Sequence, residues 1–330
     1  MKNRILLRLG TRASALALTQ SRTVARLLER AHKNVRVVLV EIGTTGDHMT
    51  GQALSSFGGA GIFVKELEAA LLDKRIDFAV HSLKDAPTRQ PRGLVIAAIS
   101  KREDARDAVV VHGGKKLSAL PAGSVVGSGS PRRRAQLKAL FPLLECAEIR
   151  GNVDTRIRKV DAGQYAATLL ALAGLKRLKL RARASQILSF DEMLPAPGQG
   201  ALGLECRSND RATRKFLAAL HDPQCAACVQ AERAVLEALG GGCHLPLGAL
   251  GEIVKPYIHV SKKGASKGKP QLKLSAVLGH PDGGLLIKAW RIGDPGDPRK
   301  LGRELARELS KLGATDLLER LSAEGLKIVR

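Results

Sequence analysis

Two short stretches of this chain place reactive side chains at the ends of structural elements. The first is His81-Ser82-Leu83-Lys84-Asp85-Ala86-Pro87, directly after the strand-like run Phe78–Val80. It sets a carboxylate beside an amine. Such a carboxylate holds a cationic amine or shuttles a proton. A Lys-Asp dipeptide is also a common surface ion pair. The second is Gly240-Gly241-Gly242-Cys243-His244-Leu245-Pro246, a thiol on a bare glycine loop. Three glycines let another group approach closely. A thiol so placed is a nucleophile, an attachment point or neither, and His244 is placed to lower its pKa.

The remaining chemistry is cationic. Gly10-Thr11-Arg12-Ala13-Ser14 joins the first strand to the first helix. Ser14 suits the N-cap, so backbone N–H groups and a guanidinium point at one spot. Gly127-Ser128-Gly129-Ser130-Pro131-Arg132-Arg133-Arg134 repeats the design, with Pro131 at the first helical position. The helix dipole disfavours cations there, so three arginines make sense beside a bound anion; otherwise the segment is a solvated basic turn. Arg150-Gly151-Asn152-Val153-Asp154-Thr155-Arg156 and Ala173-Gly174-Leu175-Lys176-Arg177 are two more basic junctions. Ligands of open α/β sheets bind beyond the carboxyl ends of the strands. Four such junctions describe a cleft for a polyanion, and Arg grips carboxylates in a bidentate way that Lys does not.

These residues need elements to position them. Arg4–Leu9, Val35–Ile42, Phe78–Val80, Leu94–Ile99, Ala108–Val111, Ser124–Val126 and Ala167–Ala171 read as strands. Helices are predicted over Ser14–His32, around Val64, Leu67 and Leu71, and over Pro131–Leu140. The alternation argues for parallel sheets covered by helices on both faces. After about residue 222 the style changes. A helix over Pro223–Leu239 is followed by strand candidates Tyr257–Val260, Leu272–Leu278 and Leu285–Trp290. Two helices finish the chain, the first stopping at Gly313. This reads as a small α+β unit.

With 330 residues, 44% hydrophobic and 26% charged, the chain has the balance of a folded protein of two or three domains. No apolar run reaches the roughly 20 residues of a membrane span. The run Ile5-Leu6-Leu7 stops at Arg8, too short for a signal peptide, so membrane and secreted classes are set aside and a cytoplasmic location is expected. Five scattered cysteines suit reduced thiols. Cys225 and Cys228 form a CAAC pair whose only nearby extra donors are His221 and the Cys243-His244 pair. No metal is expected, and both thiols read as helix residues. The net charge of +23 attracts anions. A nucleic-acid binder would show stacking platforms or a groove-reading motif, and the nine aromatics are scattered. Composition alone does not choose between nucleic acid and a small partner rich in carboxylates or phosphates.

The motifs together resemble the porphobilinogen deaminase (hydroxymethylbilane synthase) family. The resemblance rests on LGTRASALALTQ, GIFVKELEAALLDKRIDFAVHSLKDAP, REDARDAVV, GSGSPRRRAQL, RGNVDTR, LALAGLKRL, LPAPGQGALGLECR and GGGCHLPLG, in one order over nearly the whole chain. It implies an α/β fold of two doubly wound domains with type II periplasmic-binding-protein-like topology and a small α+β C-terminal domain. The bounds would be 1–100 with 201–218, then 105–195, then 222–330. It implies a transferase of tetrapyrrole and haem biosynthesis, a cytoplasmic monomer without nucleic-acid or membrane partners. Four porphobilinogen molecules would be deaminated and joined head to tail on a dipyrromethane cofactor, itself held by a thioether to Cys243. Hydrolysis would then release linear hydroxymethylbilane. Asp85 would be the catalytic carboxylate. Lys84, Ser130, Arg132, Arg133 and Arg156 would bind the cofactor. Arg12, Ser14, Arg150, Arg156, Arg177 and Gln199 would line the substrate side, with Thr155 and Gln20 as weaker assignments. Each pyrrole carries an acetate and a propionate, which accounts for arginine at several strand ends. The chain departs from the family pattern at Ala60, in an expected cleft loop over about Asp47–Gly61, and at Gly129, Pro131 and Arg134. Two rival readings are a non-catalytic anion binder on the same fold and a basic nucleic-acid binder. An adduct of two pyrrole units on Cys243 would exclude the first. A salt titration of DNA binding tests the second.

Overall fold

The computed structural model describes residues 4–43, 64–241, 245–254, 258–261, 264–267 and 269–325. The apolar run Ile5–Thr11 forms β1 and leads into α1 (Ala15–Ala31). The Ser14 side chain caps that helix, accepting from the Ala17 N–H at 3.3 Å. β2 (Val35–Glu41), α2 (Lys65–Leu72), β3 (Phe78–Ser82) and β4 (Leu94–Ile99) follow. The chain then crosses to a second sheet, where it forms β5 (Asp107–Val111), β6 (Val125–Gly127), α3 (Pro131–Leu140) and β7 (Glu145–Ala147). α4 (Val153–Asp161), β8 (Ala167–Ala171), α5 (Leu172–Arg177) and β9 (Gln186–Ile187) complete it. The chain returns to the first sheet as β10 (Leu202–Arg207), followed by α6 (Arg211–Leu217).

The strand orders are β2-β1-β3-β10-β4 and β7-β6-β8-β5-β9. Counted from each sheet's own first parallel strand, the two orders are the same. β1 runs parallel to β2 and β3, and β6 runs parallel to β7 and β8. β10 and β5 run antiparallel to both neighbours. Each of these two strands arrives directly from the other lobe. It enters at the edge where its neighbours end and so runs against them. The result is two doubly wound lobes of the type II periplasmic-binding-protein-like kind, with one antiparallel strand in each sheet where the alternation predicts parallel strands throughout.

The third sheet is antiparallel, in the order β11 (Leu247–Val254), β14 (Gln271–Gly279), β15 (Leu286–Gly293). Between β11 and β14, β12 (Ile258–Ser261) and β13 (Gly264–Lys267) pair as a separate hairpin. The sheet packs on α7 (Pro223–Ala238) and α8 (Pro298–Leu309), with Val235, Leu274, Leu305 and Leu309 fully buried between them. α9 (Thr315–Ala323) follows Gly313, whose φ of +100° breaks the helical path as expected. The strand expected at Tyr257–Val260 forms as β12 but lies in the separate hairpin, and its place in this sheet is taken by β11, which was not expected. That strand is hard to read because glycines interrupt its apolar pattern. A Cβ at Gly248 would lie 2.8 Å from the Leu194 oxygen, and one at Gly251 2.9 Å from the Cys228 Cα. The CAAC thiols lie buried on α7, and burial pushes Cys225 and Cys228 up to about 12. Among the described residues no cluster of His, Cys, Asp and Glu could hold a metal, and no helix is long and apolar enough to cross a membrane.

Candidate active site

β3 ends at the turn that carries the acid-amine pair. The Leu83 N–H donates to the Ala201 oxygen at 3.1 Å, and the Asp85 N–H donates to the Ser82 oxygen at 2.9 Å. The buried Gln20 of α1 donates from Nε2 to Ser82 Oγ at 2.9 Å. Gly198 lies close against the turn: with φ of +76°, a Cβ there would sit 3.2 Å from the Leu83 carbonyl carbon and 3.3 Å from the Lys84 nitrogen. Lys84 is half-buried and Asp85 is exposed.

The second lobe faces this turn with arginines. Arg132 and Arg133, in the first turn of α3, are 3% and 6% exposed and both grip Asp107 at the start of β5. Arg132 Nη1 donates to Asp107 Oδ2 and to the Leu194 oxygen, each at 2.7 Å. Arg133 donates from Nη2 to Asp107 Oδ1 at 2.8 Å and from Nη1 to the Leu169 oxygen at 2.9 Å. Burial alone would raise the Asp107 pKa. The two guanidiniums outweigh it and hold the carboxyl well below the usual range. Arg156, half-buried on α4, donates from Nε to the Gly151 oxygen at 2.7 Å. Gly151 has φ of +112°, a conformation that favours glycine, and this conformation lets the chain turn into α4 there.

The charged groups of the two lobes act on one another across the cleft. Burial lowers the Lys84 pKa, Asp85 and Asp107 pull it back, and Arg133 and Arg132 lower it further. Burial and Arg133 lower the Arg156 pKa, against the pull of Asp85. Lys84, Arg132, Arg133 and Arg156 thus share one field with two carboxylates, Asp85 and Asp107. Among the described residues, the buried Arg132 Nε has no hydrogen-bond partner. A surplus of cations with an unsatisfied guanidinium N–H fits an acidic ligand.

The family model "Porphobilinogen deaminase, dipyromethane cofactor binding domain" matches residues 7–215, and "Porphobilinogen deaminase, C-terminal domain" matches 226–311. The porphobilinogen deaminase of Thiobacillus denitrificans is 45% identical over 96% of this chain and 99% of its own length. That of Syntrophobacter fumaroxidans is 42% identical over 97% and 99%. The chain belongs to the porphobilinogen deaminase family. Members of this family are hydroxymethylbilane synthases, transferases of tetrapyrrole biosynthesis that use a dipyrromethane cofactor. Solved structures similar to this deaminase chain include the methionine-binding protein MetQ (TM-score 0.42, 13% identity, 65% of this chain and 89% of that one). A Burkholderia cenocepacia nutrient-binding protein bound to methionine has a TM-score of 0.42 and 14% identity, covering 66% and 93%.

Within this deaminase the expected site residues fall into distinct places. Lys84, Asp85, Arg132, Arg133 and Arg156 share the field just described. Arg12 is half-buried where β1 ends, beside β3. The Ser14 hydroxyl caps α1. Ser130 occupies the N-cap position of α3 without a side-chain cap, and its N–H donates to Ser128 Oγ at 3.3 Å. Arg150 is exposed and pairs with Glu148, Nε to Oε1, at 2.9 Å. Thr155 Oγ1 accepts from the exposed Arg158 at 3.3 Å. Arg177 reaches the crossing between lobes, donating to the Gly200 oxygen at 2.7 Å. Gln199 is 1% exposed and donates to the Ala105 oxygen at 2.7 Å and to Asp107 Oδ1 at 3.0 Å, so it works behind the arginine layer. Cys243, His244, Ala60 and the expected loop over Asp47–Gly61 lie outside the described residues. Past the cysteine, Leu245 is buried in the third core, and the Ala249 N–H donates to the Pro195 oxygen at 2.9 Å, next to the Leu194 carbonyl that Arg132 holds.

The sequence reading missed Asp107, Arg102, Glu232 and Arg233. Glu232 of α7 is fully buried. It accepts from Arg102 at 2.5 and 3.1 Å, from the Gly198 N–H at 2.7 Å and from the Gly251 N–H at 2.8 Å. It therefore binds both crossings between the lobes to the third sheet. One signal was available: Asp107 heads the fully apolar run Ala108–Val111, and a carboxylate at the mouth of a buried strand requires partners.

Proposed function

We infer that Asp85 is the catalytic carboxylate of this synthase, acting on porphobilinogen units in the cleft between the two lobes. The observation that carries the reading is the placement of Asp85: exposed just past β3, beside Lys84 and within the electrostatic reach of Arg156 from the other lobe. The aminomethyl C–N bond of porphobilinogen breaks and the nitrogen leaves as ammonia. Positive charge then develops on the methylene carbon and ring. An aspartate aimed at that charge stabilises it and accepts hydrogen bonds from the pyrrole N–H.

Lys84, Ser130, Arg132, Arg133 and Arg156 would hold the carboxylates of the dipyrromethane. The cation surplus and the unsatisfied Arg132 Nε support this. When bound, that group supplies the free pyrrole carbon that extends the chain. Arg12, Ser14, Arg150, Arg177 and Gln199 complete the proposed substrate side, Gln199 through Asp107. We place the three functional units at 1–100 with 201–218, 105–195 and 222–330, the last carrying Cys243 as the thioether anchor. The reaction runs through four additions before hydrolysis, in a cytoplasmic monomer.

Intact mass of the purified protein tests the reading. The expected result is an adduct of two pyrrole units on Cys243, with further single-unit steps after brief exposure to porphobilinogen. An unmodified Cys243 in a protein that still makes hydroxymethylbilane overturns the anchor assignment.

A further inference from the structure

We propose that Arg233 is a positioning residue for this reaction: it fixes the turn carrying Asp85 against the helix that leads into the glycine loop of Cys243. Arg233 lies on α7. Its Nη1 donates to the Leu83 oxygen at 2.8 Å and to the Ala86 oxygen at 3.1 Å, and its Nη2 donates to the Pro87 oxygen. These three carbonyls bracket Asp85 on both sides. The bonds are made to backbone, so they set the path of the turn and leave the Lys84 and Asp85 side chains to the cleft.

The helix position explains why this contact matters. Neighbouring helix residues point about 100° apart, so Glu232 and Arg233 reach different parts of the molecule. Glu232 binds the crossings at Arg102 and Gly198. Arg233 binds the reactive turn. Gly198, held by Glu232 through its N–H, lies so close to the Leu83 and Lys84 backbone that an added Cβ would crowd it. The helix thus holds the turn directly through Arg233 and fixes, through Glu232, the glycine packed closely beside it; that helix ends at Ala238, just before Gly240 and Gly241. A guanidinium suits this task because its donors form a rigid planar fork. A lysine offers a single flexible point of attachment.

The Asp85 side chain is exposed, so the backbone of its turn decides where the carboxylate goes. A displacement of about 1 Å in a reacting group costs on the order of a hundredfold in rate. Loss of Arg233 should therefore appear in kcat more than in KM, because the arginines of the cleft, which bind the acidic substrate, stay in place.

This inference rests on the reading of Asp85 as the catalytic carboxylate, so three variants are compared as cofactor-loaded enzymes: Arg233→Met, Arg233→Lys and Asp85→Ala. Cofactor loading is read by intact mass and folding by thermal unfolding. For Arg233→Met we expect an attached dipyrromethane, kcat lowered by about 10- to 100-fold and KM within about twofold of the parent. Arg233→Lys should recover part of kcat. A kcat for Arg233→Met within twofold of the parent overturns the proposal. So does a loss that merely tracks the folded, loaded fraction. If Arg233→Met does not fold, Arg233→Lys decides: a parental kcat overturns the proposal, and a lowered kcat at parental KM and melting temperature supports it. An inactive Asp85→Ala beside a normal Arg233→Met overturns this inference alone. Turnover that survives in Asp85→Ala overturns the reading of Asp85 and this inference with it.

Discussion

The first lobe and the second end their sheets on the same cleft but place their charges in opposite ways. At the end of β3 the carboxylate of Asp85 is exposed, and the turn around it is held through backbone groups. At the starts of β5 and α3, Asp107, Arg132, Arg133 and Gln199 are buried and bound side chain to side chain. Burying an ion costs several kcal/mol unless a partner compensates it, so the second arrangement cannot rearrange cheaply. It supplies a fixed positive field. The first leaves its carboxylate exposed, which suits the proposed role of meeting each arriving pyrrole. On the reading of Asp85 proposed above, the second lobe thus brings a buried scaffold to the cleft and the first lobe brings the reaction centre.

Substitutions sharpen or break this contrast. Asp85→Ala should lower hydroxymethylbilane formation by about 10²- to 10⁴-fold with an unchanged melting temperature. Near-normal product formation would remove the reaction centre from β3. Asp107→Asn should do the reverse, destabilising the protein by about 3–5 kcal/mol in urea unfolding, because it strands two buried guanidiniums. The pH dependence has a definite sign. The folded Asp107 pKa lies below the unfolded value of about 3.9, so its contribution is present above that pH and is lost as pH falls towards the folded value. The parent should therefore lose stability in acid along a slope that Asp107→Asn lacks. Arg150→Leu removes an exposed arginine proposed for the substrate side, and kcat/KM should fall by about tenfold or less without loss of stability. The smallest effect concerns the α7 thiols. Cys225 and Cys228, pushed up to about 12, should resist alkylation at pH 8 until the protein unfolds, as peptide mass mapping would show.

Much of this organisation is legible from residues alone. Ser14, Pro131 and the β-branched runs mark the junctions, because capping and periodicity are local properties. The direction in which a side chain turns is not local. Nothing near Arg132 and Arg133 announces that both bend inward to Asp107, which lies at the head of another strand. Glu232 and Arg233 look like ordinary solvated charges in the run QAERAV. Their partners lie 130 and 150 residues away, at Arg102 and Leu83. β10 and β5 become antiparallel only because the chain passes twice between lobes, a fact of topology that no single segment carries. β11 was lost to its glycines, which serve close packing and erase the apolar alternation that would reveal a strand.

Gly198 gives the reactive turn a vulnerability far from any charged group. A single added methyl at this position would press on the Leu83 and Lys84 backbone, and one at Gly203 would come within 2.5 Å of the Leu83 side chain. Inactivating lesions in this enzyme should therefore collect in the PGQGALG segment as readily as among its arginines, silencing the chemistry by crowding without removing any group that performs it.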